Sequence, residues 1–253
     1  PVDNHKKSPD LGFVKTVAES IGRLIRPSNL VILRSTVPVG TTRKFFVPLV
    51  EKFSGLKAGR DFSVVFAPER TVEGRALVEL REHPQIVGGI DSKSIQAASA
   101  IFRTFAPLVI PVSNLEVAEL VKLFNNTYRD VVFGFANEVA LICDGFNVDP
   151  QEVIQAANQD YPRSRIPLPS PGVGGYCLTK DPFILLHSTK NIPAHPYIVF
   201  HARKVNAMMP QHVVSKTLRF LKEVAKKKPM QSRVAILGLA YKGYPETTDM
   251  RYS

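Results

Sequence analysis

The sequence predicts a mixed architecture: an α/β unit, then an all-α block, then the opening of a second α/β unit. Three observations carry this. Short apolar runs alternate with amphipathic segments through residue 112. A helical pattern then continues from 113 to 228. A further apolar run, "VAILG", follows that block. The opening α/β unit reads in order. "DLGFVKTVAESIGRLI" places Leu11, Val14, Val17, Ala18, Ile21 and Leu24 at helical spacing. "LVILRST" is a short buried strand, and "VPVGTTRKFFVPLVEKF" opens with turn residues and continues as a helix. "DFSVVFAPER" and "PQIVGGI" are strands, "SKSIQAASAIFRTFA" a helix, and "PLVIPV" a strand. Strands alternating with helices imply parallel β-α-β units.

From Ser113 the pattern changes. "SNLE" has the Ser-x-x-Glu form of a capping box, and the helix after it is expected to run to Asp144, with Gly145 as its stop. At about 1.5 Å per residue that helix is roughly 45 Å long. "DPQEV" offers Asp149 as N-cap and Pro150 at the first helical position. "DPFILLHST" reads as a helix, and the segment from Pro196 onward as one long helix or two, interrupted or kinked at Pro210. "SRVAILGLAYKG" reads as a buried strand running into a loop. No internal repeat or low-complexity tract interrupts the chain.

Composition narrows the function classes. With 44% hydrophobic and 22% charged residues the chain is globular in type. Two cysteines in 253 residues argue against a disulfide framework and for a reducing, cytoplasmic setting. No apolar run is long enough to span a membrane, and no apolar leader opens the chain. The net charge is +11, and the segment from His201 to Arg233 holds nine Lys or Arg against one acid, Glu223. It reads as a solvated basic helix face, ahead of a site for an anion such as phosphate. Nucleic acid is disfavoured, because no aromatic interleaving or reading motif accompanies the charge. The chain begins without methionine and ends just after a strand pattern, which reads as a piece of a longer protein.

The chemistry-bearing stretch is "PSPGVGGYCLTKDP". Cys177 follows Gly174 and Gly175 and stands near the start of an apolar helix, where the positive end of the helix dipole favours thiolate. Lys180 adds positive charge three residues on. A free cysteine is more often a small core residue, which suits Cys143 but not Cys177 among glycines and charges. Lys122 and Asn126 lie four apart in "AELVKLFNNTYRD" and share a helix face. From the residues alone, Lys122 either snorkels to solvent or is held inside to stabilise negative charge, and snorkelling is favoured. "STVPVGTT" puts Thr36 and other small hydroxyls at the end of a strand, where ligands of α/β sheets bind, or simply caps a strand-to-helix turn. "APERTVEGR" puts Glu69 and Glu73 in a loop after another strand, as acid/base groups or as solvated residues.

Taken in order, "STVPVGTT", "PERTVEGR", "AELVKLFNNTYRD", "PGVGGYCLTKDP" and "GLAYKG…TTDMRYS" resemble the UDP-glucose/GDP-mannose dehydrogenase family across essentially the whole chain. The resemblance implies three parts. Residues 1–112 correspond to the C-terminal part of an NAD-binding Rossmann-like domain. Residues 113–228 correspond to a helical central domain that forms homodimers, and 229–253 to the start of a nucleotide-sugar domain. It also implies two successive NAD-dependent oxidations of a sugar C6 hydroxymethyl to a carboxylate. Cys177 then resembles the nucleophile, Lys122 and Asn126 the donors to oxyanions at C6, and Asp181 the neighbouring acid/base. Glu69 resembles the glutamate of thioester hydrolysis and Thr36 a water-holding threonine. Glu73 and Lys180 match positions near the cofactor, as Thr36 does. Arg163, Gly174 and Lys242 match positions at the UDP-sugar. The closest subfamily resemblance is to UDP-N-acetylhexosamine 6-dehydrogenases, although "CLTKD" is nearer the UDP-glucose enzymes and Tyr176 matches neither group. The alternatives are a UDP-glucose enzyme or a non-catalytic dimerisation module. One departure is large: no Gly-x-Gly-x-x-Gly follows a first strand, so the dinucleotide cradle is expected upstream if anywhere.

Overall fold

In the computed structural model, residues 2–3, 8–72, 74–163 and 165–238 are described. Two compact units partition the chain, Pro1–Asn125 with Phe183–Pro193, and Asn126–Pro182 with Ala194–Ser253.

The first unit is built on a four-stranded sheet of β3 (Leu30–Leu33), β4 (Ser63–Phe66), β5 (Gln85–Gly89) and β6 (Val109–Val112), in that order. A two-residue pair, β1 (Val2–Asp3) with β2 (Ser8–Pro9), precedes it. β3 and β4 run parallel, as do β5 and β6, but β4 and β5 pair antiparallel. This corrects the all-parallel expectation. The connection between β4 and β5 carries only a seven-residue helix, α3 (Ala76–Glu82), so the chain turns back at the end of β4 instead of crossing the sheet.

Alternation along β4 splits the core in two. Val64 and Phe66 face one cluster with Ala18, Val37, Phe46, Val50, Leu115 and Ala118. Val65 faces the other with Val87, Ala98, Phe102 and Val109. Helices α1 (Gly12–Leu24) and α2 (Val47–Ser54) contribute to the first cluster, and α4 (Ser92–Phe102) to the second. α4 starts where Asp91 accepts the backbone N–H of Ser94. A π-helical segment, Thr42–Phe46, leads into α2.

The long helix α5 spans Leu115–Phe146. Its cap differs from the expected box: Asn114 Oδ1 accepts the N–H of Val117 at 2.9 Å, while Glu116 is drawn off to Arg43 at 2.7 Å. Its end also differs. Gly145 lies within the helix, and the chain leaves at Asn147, which takes a left-handed φ of 54°.

In the second unit, α6 (Pro150–Asn158) is capped by Asp149, whose side chain accepts from Gln151 N at 2.9 Å. α7 (Tyr176–Ser188) begins after Gly175, whose φ of +87° favours glycine at the turn into the helix. α8 (Tyr197–Glu223) runs through Pro210 as one helix. α5 and α8 approach closely at Gly134, where an added Cβ would sit 2.9 Å from Ala202 Cβ. We expect Gly134→Ala to lower the urea midpoint by an amount worth about 1–3 kcal/mol, the usual cost of overpacking.

Residues 232–238, expected as a strand, have no regular structure, and Ile236 and Leu237 are exposed. A strand is stable only when paired, and among the described residues nothing pairs with this segment. Lys242 and Glu73 lie outside the described residues. Among the described residues no helix is long and apolar enough to cross a membrane.

Candidate functional site

Cys177 occupies the first turn of α7 and its thiol is exposed, whereas Cys143 is buried in α5. Asp181 lies one turn further along α7 and is fully buried. Asn126 of α5 donates its amide to Asp181 Oδ2 at 2.5 Å, and the Lys180 ammonium donates to Oδ1. The same ammonium sits 4.9 Å from the centre of the Tyr176 ring, a cation–π distance. Four of the residues singled out in the sequence, Cys177, Lys180, Asp181 and Asn126, thus meet in the second unit. Gly174, half-buried, belongs to the loop that delivers them. Arg163 is exposed in the turn that follows α6.

A buried polar layer lies beneath α7. Asp130, fully buried, accepts from Arg203 Nη1 at 2.5 Å and from the Asn206 amide at 2.9 Å. Asn206 in turn accepts from Asn137 at 2.9 Å, and Asn137 accepts the N–H of Ser170 at 2.8 Å. Burial pushes the Asp130 carboxyl above its usual range, against the opposing pull of Arg203 and Asn206.

Thr36, Glu69 and Lys122 belong to the first unit. Thr36 is half-buried just beyond β3. Glu69 follows β4, where its carboxylate accepts the N–H of Thr71 at 2.9 Å and pairs with Arg34 at 2.9 Å. Burial raises the pKa of Glu69, but the Thr71 N–H and the Arg34 charge outweigh it and hold the group below the ordinary glutamate range. Lys122 is half-buried on α5, one turn ahead of Asn126.

Glu119, one turn before Lys122, is almost fully buried and closes the turn after β3. It accepts Gly40 N at 2.5 Å, Thr42 N at 2.9 Å and the Thr42 hydroxyl at 2.6 Å. This bears on cofactor fit. The backbone N–H groups of this strand-to-helix turn, the kind that cradle a dinucleotide pyrophosphate, are already consumed by a carboxylate. This turn therefore does not supply that cradle.

Arg34, Glu119, Asp130, Asn137, Arg203 and Asn206 were not singled out in the sequence. Those on α5 did leave a signal. Glu119, Lys122, Asn126, Asp130 and Asn137 recur at spacings of three, four, four and seven, one polar stripe along the helix.

Comparison with known proteins identifies the family. Residues 1–106 match the UDP-glucose/GDP-mannose dehydrogenase family NAD binding domain, and residues 116–208 match that family's central domain. A UDP-N-acetyl-D-mannosamine dehydrogenase of Pyrococcus horikoshii is 39% identical over 240 residues, covering 95% of this chain and 56% of the relative. An NDP-N-acetyl-D-galactosaminuronic acid dehydrogenase of Ralstonia solanacearum is 34% identical, over 93% of this chain and 55% of the relative. Among solved structures, the UDP-D-ManNAc dehydrogenase of Pyrococcus horikoshii superposes with a TM-score of 0.88 at 37% identity, covering 96% of this chain and 56% of that one. The UDP-N-acetyl-mannosamine dehydrogenase of Staphylococcus aureus gives 0.82 at 34% identity, over 100% of this chain and 58% of that one. The chain thus spans little more than half the length of the relatives it matches, and it belongs to the UDP-glucose/GDP-mannose dehydrogenase family.

Proposed function

We propose that this chain carries the covalent-catalysis part of an NAD-dependent UDP-sugar 6-dehydrogenase, acting on a UDP-N-acetylhexosamine and foremost on UDP-N-acetylmannosamine. One observation carries the reading: an exposed thiol, Cys177, in the first turn of a helix whose next turn holds the buried Asp181, bonded to Asn126 and Lys180. The names of the relatives support the sugar class.

NAD, when bound, supplies the acceptor for the two hydrides lost from C6. The chain's own residues handle what lies between and after. The Cys177 sulfur adds to the C6 aldehyde, forming a C–S bond while the carbonyl oxygen takes a proton, and the thiohemiacetal keeps the aldehyde from escaping. Loss of a hydride and a proton leaves the thioester. Water then adds to its carbonyl, the C–S bond breaks, and the carboxylate and the thiol are released.

Asp181 is the proton carrier beside the sulfur, and Lys122 and Asn126 steady the oxyanion at C6. Glu69, held ionised by Thr71 and Arg34, is suited to take a proton from water, with Thr36 holding that water. Lys180 and Glu73 are assigned to the cofactor side. Gly174, Arg163 and Lys242 are assigned to the UDP-sugar. The same reading assigns 1–112 to the NAD-binding domain, 113–228 to a helical domain pairing two copies in a cytoplasmic homodimer, and 229–253 to the nucleotide-sugar domain. Neither nucleic acid nor a membrane is a partner.

The test is the full-length gene product with NAD+ and, separately, UDP-N-acetylmannosamine, UDP-N-acetylglucosamine, UDP-N-acetylgalactosamine and UDP-glucose, following NADH. We expect two NADH per UDP-N-acetylmannosamine, and Cys177→Ser at background. No NADH with any of the four sugars would overturn the proposal.

A further inference from the structure

Pro182 lies inside α7. A proline has no N–H, so the carbonyl four residues earlier loses its helical partner and is also crowded by the ring. That carbonyl belongs to Leu178, the residue after Cys177. Arg203 Nη1 donates to it at 3.3 Å. Leu178 is buried, so water is a poor substitute for the missing donor.

The guanidinium is placed for this purpose at a cost elsewhere. A two-pronged pairing with Asp130 would use both carboxylate oxygens and a second guanidinium nitrogen. Instead Nη1 serves both Asp130 Oδ1 and the Leu178 carbonyl, and the buried Arg203 Nε and Asp130 Oδ2 have no partner among the described residues. On its far side the same layer reaches Ser170 through Asn206 and Asn137. Both ends of the glycine-rich segment 170–178 are therefore bonded to one buried cluster.

We infer that Arg203 is a positioning residue: it replaces the N–H that Pro182 lacks at the Leu178 carbonyl and so fixes the first turn of α7, on which Cys177 is presented. This deepens the dehydrogenase reading and rests on it only in treating the Cys177 sulfur as the nucleophile. Among the described residues Arg203 bonds to Asp130 and to the Leu178 carbonyl, not to that sulfur or to Asp181, and acts through the backbone.

The experiment is a cycle of Arg203→Lys and Pro182→Ala, alone and together. Lysine keeps the charge opposite Asp130 but lacks the fixed donor geometry by which the guanidinium Nη1 reaches both acceptors. Alanine at 182 restores an N–H for the Leu178 carbonyl. Two quantities are read, amide hydrogen exchange in peptides covering 176–188 and the rate at which iodoacetamide alkylates Cys177, with Cys143 shielded by burial. Arg203→Lys is expected to speed exchange in this segment by about tenfold, the equivalent of one bond to a charged donor. It should also change the alkylation rate several-fold, because the sulfur is presented by the turn that this bond holds. Adding Pro182→Ala should return both toward the parent values. A residue that merely held the fold would raise exchange across α5 and α8 alike, and would not be rescued by a change at 182.

Equal effects of Arg203→Lys in the proline and alanine backgrounds would overturn the inference. If the lysine variant does not fold, the paired change Asp130→Asn with Arg203→Met removes both charges and enters the same cycle, with the same rescue expected. Neither readout requires NAD or a sugar, so an inactive gene product would sink the dehydrogenase reading while leaving this result to stand or fall separately.

Discussion

Glu119→Ala is expected to lower the stability of the chain by about 4 kcal/mol, read as the shift in urea midpoint at constant slope. The carboxylate is the acceptor for two backbone N–H groups and a hydroxyl in a site shielded from water. Alanine leaves those backbone donors buried and unpaired, each at about 1–3 kcal/mol, and opens a cavity. Glu119→Gln should cost less, about 2 kcal/mol, since its carbonyl oxygen can still accept from Thr42 while its amide faces the Gly40 N–H donor to donor. The parent protein and the glutamine variant also differ in pH response. Burial pushes the Glu119 pKa up, with the Thr42 and Gly40 hydrogen bonds opposing. The folded pKa therefore lies above the unfolded one, the native state binds the proton more tightly, and this contribution to stability is lost as pH rises through the folded value. The glutamine variant has no proton to release there, so its stability should fall less steeply over that window.

Asp130→Ala should be the second large effect, a loss of about 3–5 kcal/mol, because it strands the Arg203 guanidinium without its counter-charge. The informative comparison is with the double change Asp130→Asn, Arg203→Met. Removing both charges should recover most of the loss, since an intact buried ion pair contributes little net stability while a broken one is costly. A double variant no more stable than Asp130→Ala would mean the pair itself stabilises the second unit. Circular dichroism melts of the three proteins distinguish the outcomes.

Most of the fold was legible because its signals are local. β3 to β6, α1, α4, α6 and α8 all follow from apolar period and turn chemistry. The antiparallel β4–β5 pair was not legible, because strand direction depends on where a connection takes the chain, and the helix in that connection, α3, is only seven residues long with a weak pattern. The α5 cap was misplaced by one residue because Ser113 and Asn114 are both good caps, and the choice fell to Arg43, which recruits Glu116 from 73 residues away. "VAILG" has a strand's composition, but composition cannot supply the neighbour that a strand must pair with.

The site was legible unevenly, for the same reason. Cys177 stood out by its glycines, and Asn126 by its spacing from Lys122. Asp130 and Arg203 did not, because a buried carboxylate and its cation are recognisable only once two helices distant in sequence are brought together. Pro182 was visible as a proline following an acid, but its consequence for the Leu178 carbonyl needed both the start of α7 and the reach of Arg203.

The π-helical segment at Thr42–Phe46 sets a phase. A π turn holds one residue more than the α turn it replaces, and each α-helical residue advances the chain by about 100°. Deleting any one residue from 42–46 would therefore leave a regular helix but rotate everything before it by roughly that angle relative to α2. Gly40 and Thr42 would swing away from Glu119, and the loop carrying Thr36 would turn with them. The length of this segment, as much as the identity of its residues, thus determines which way the end of β3 faces.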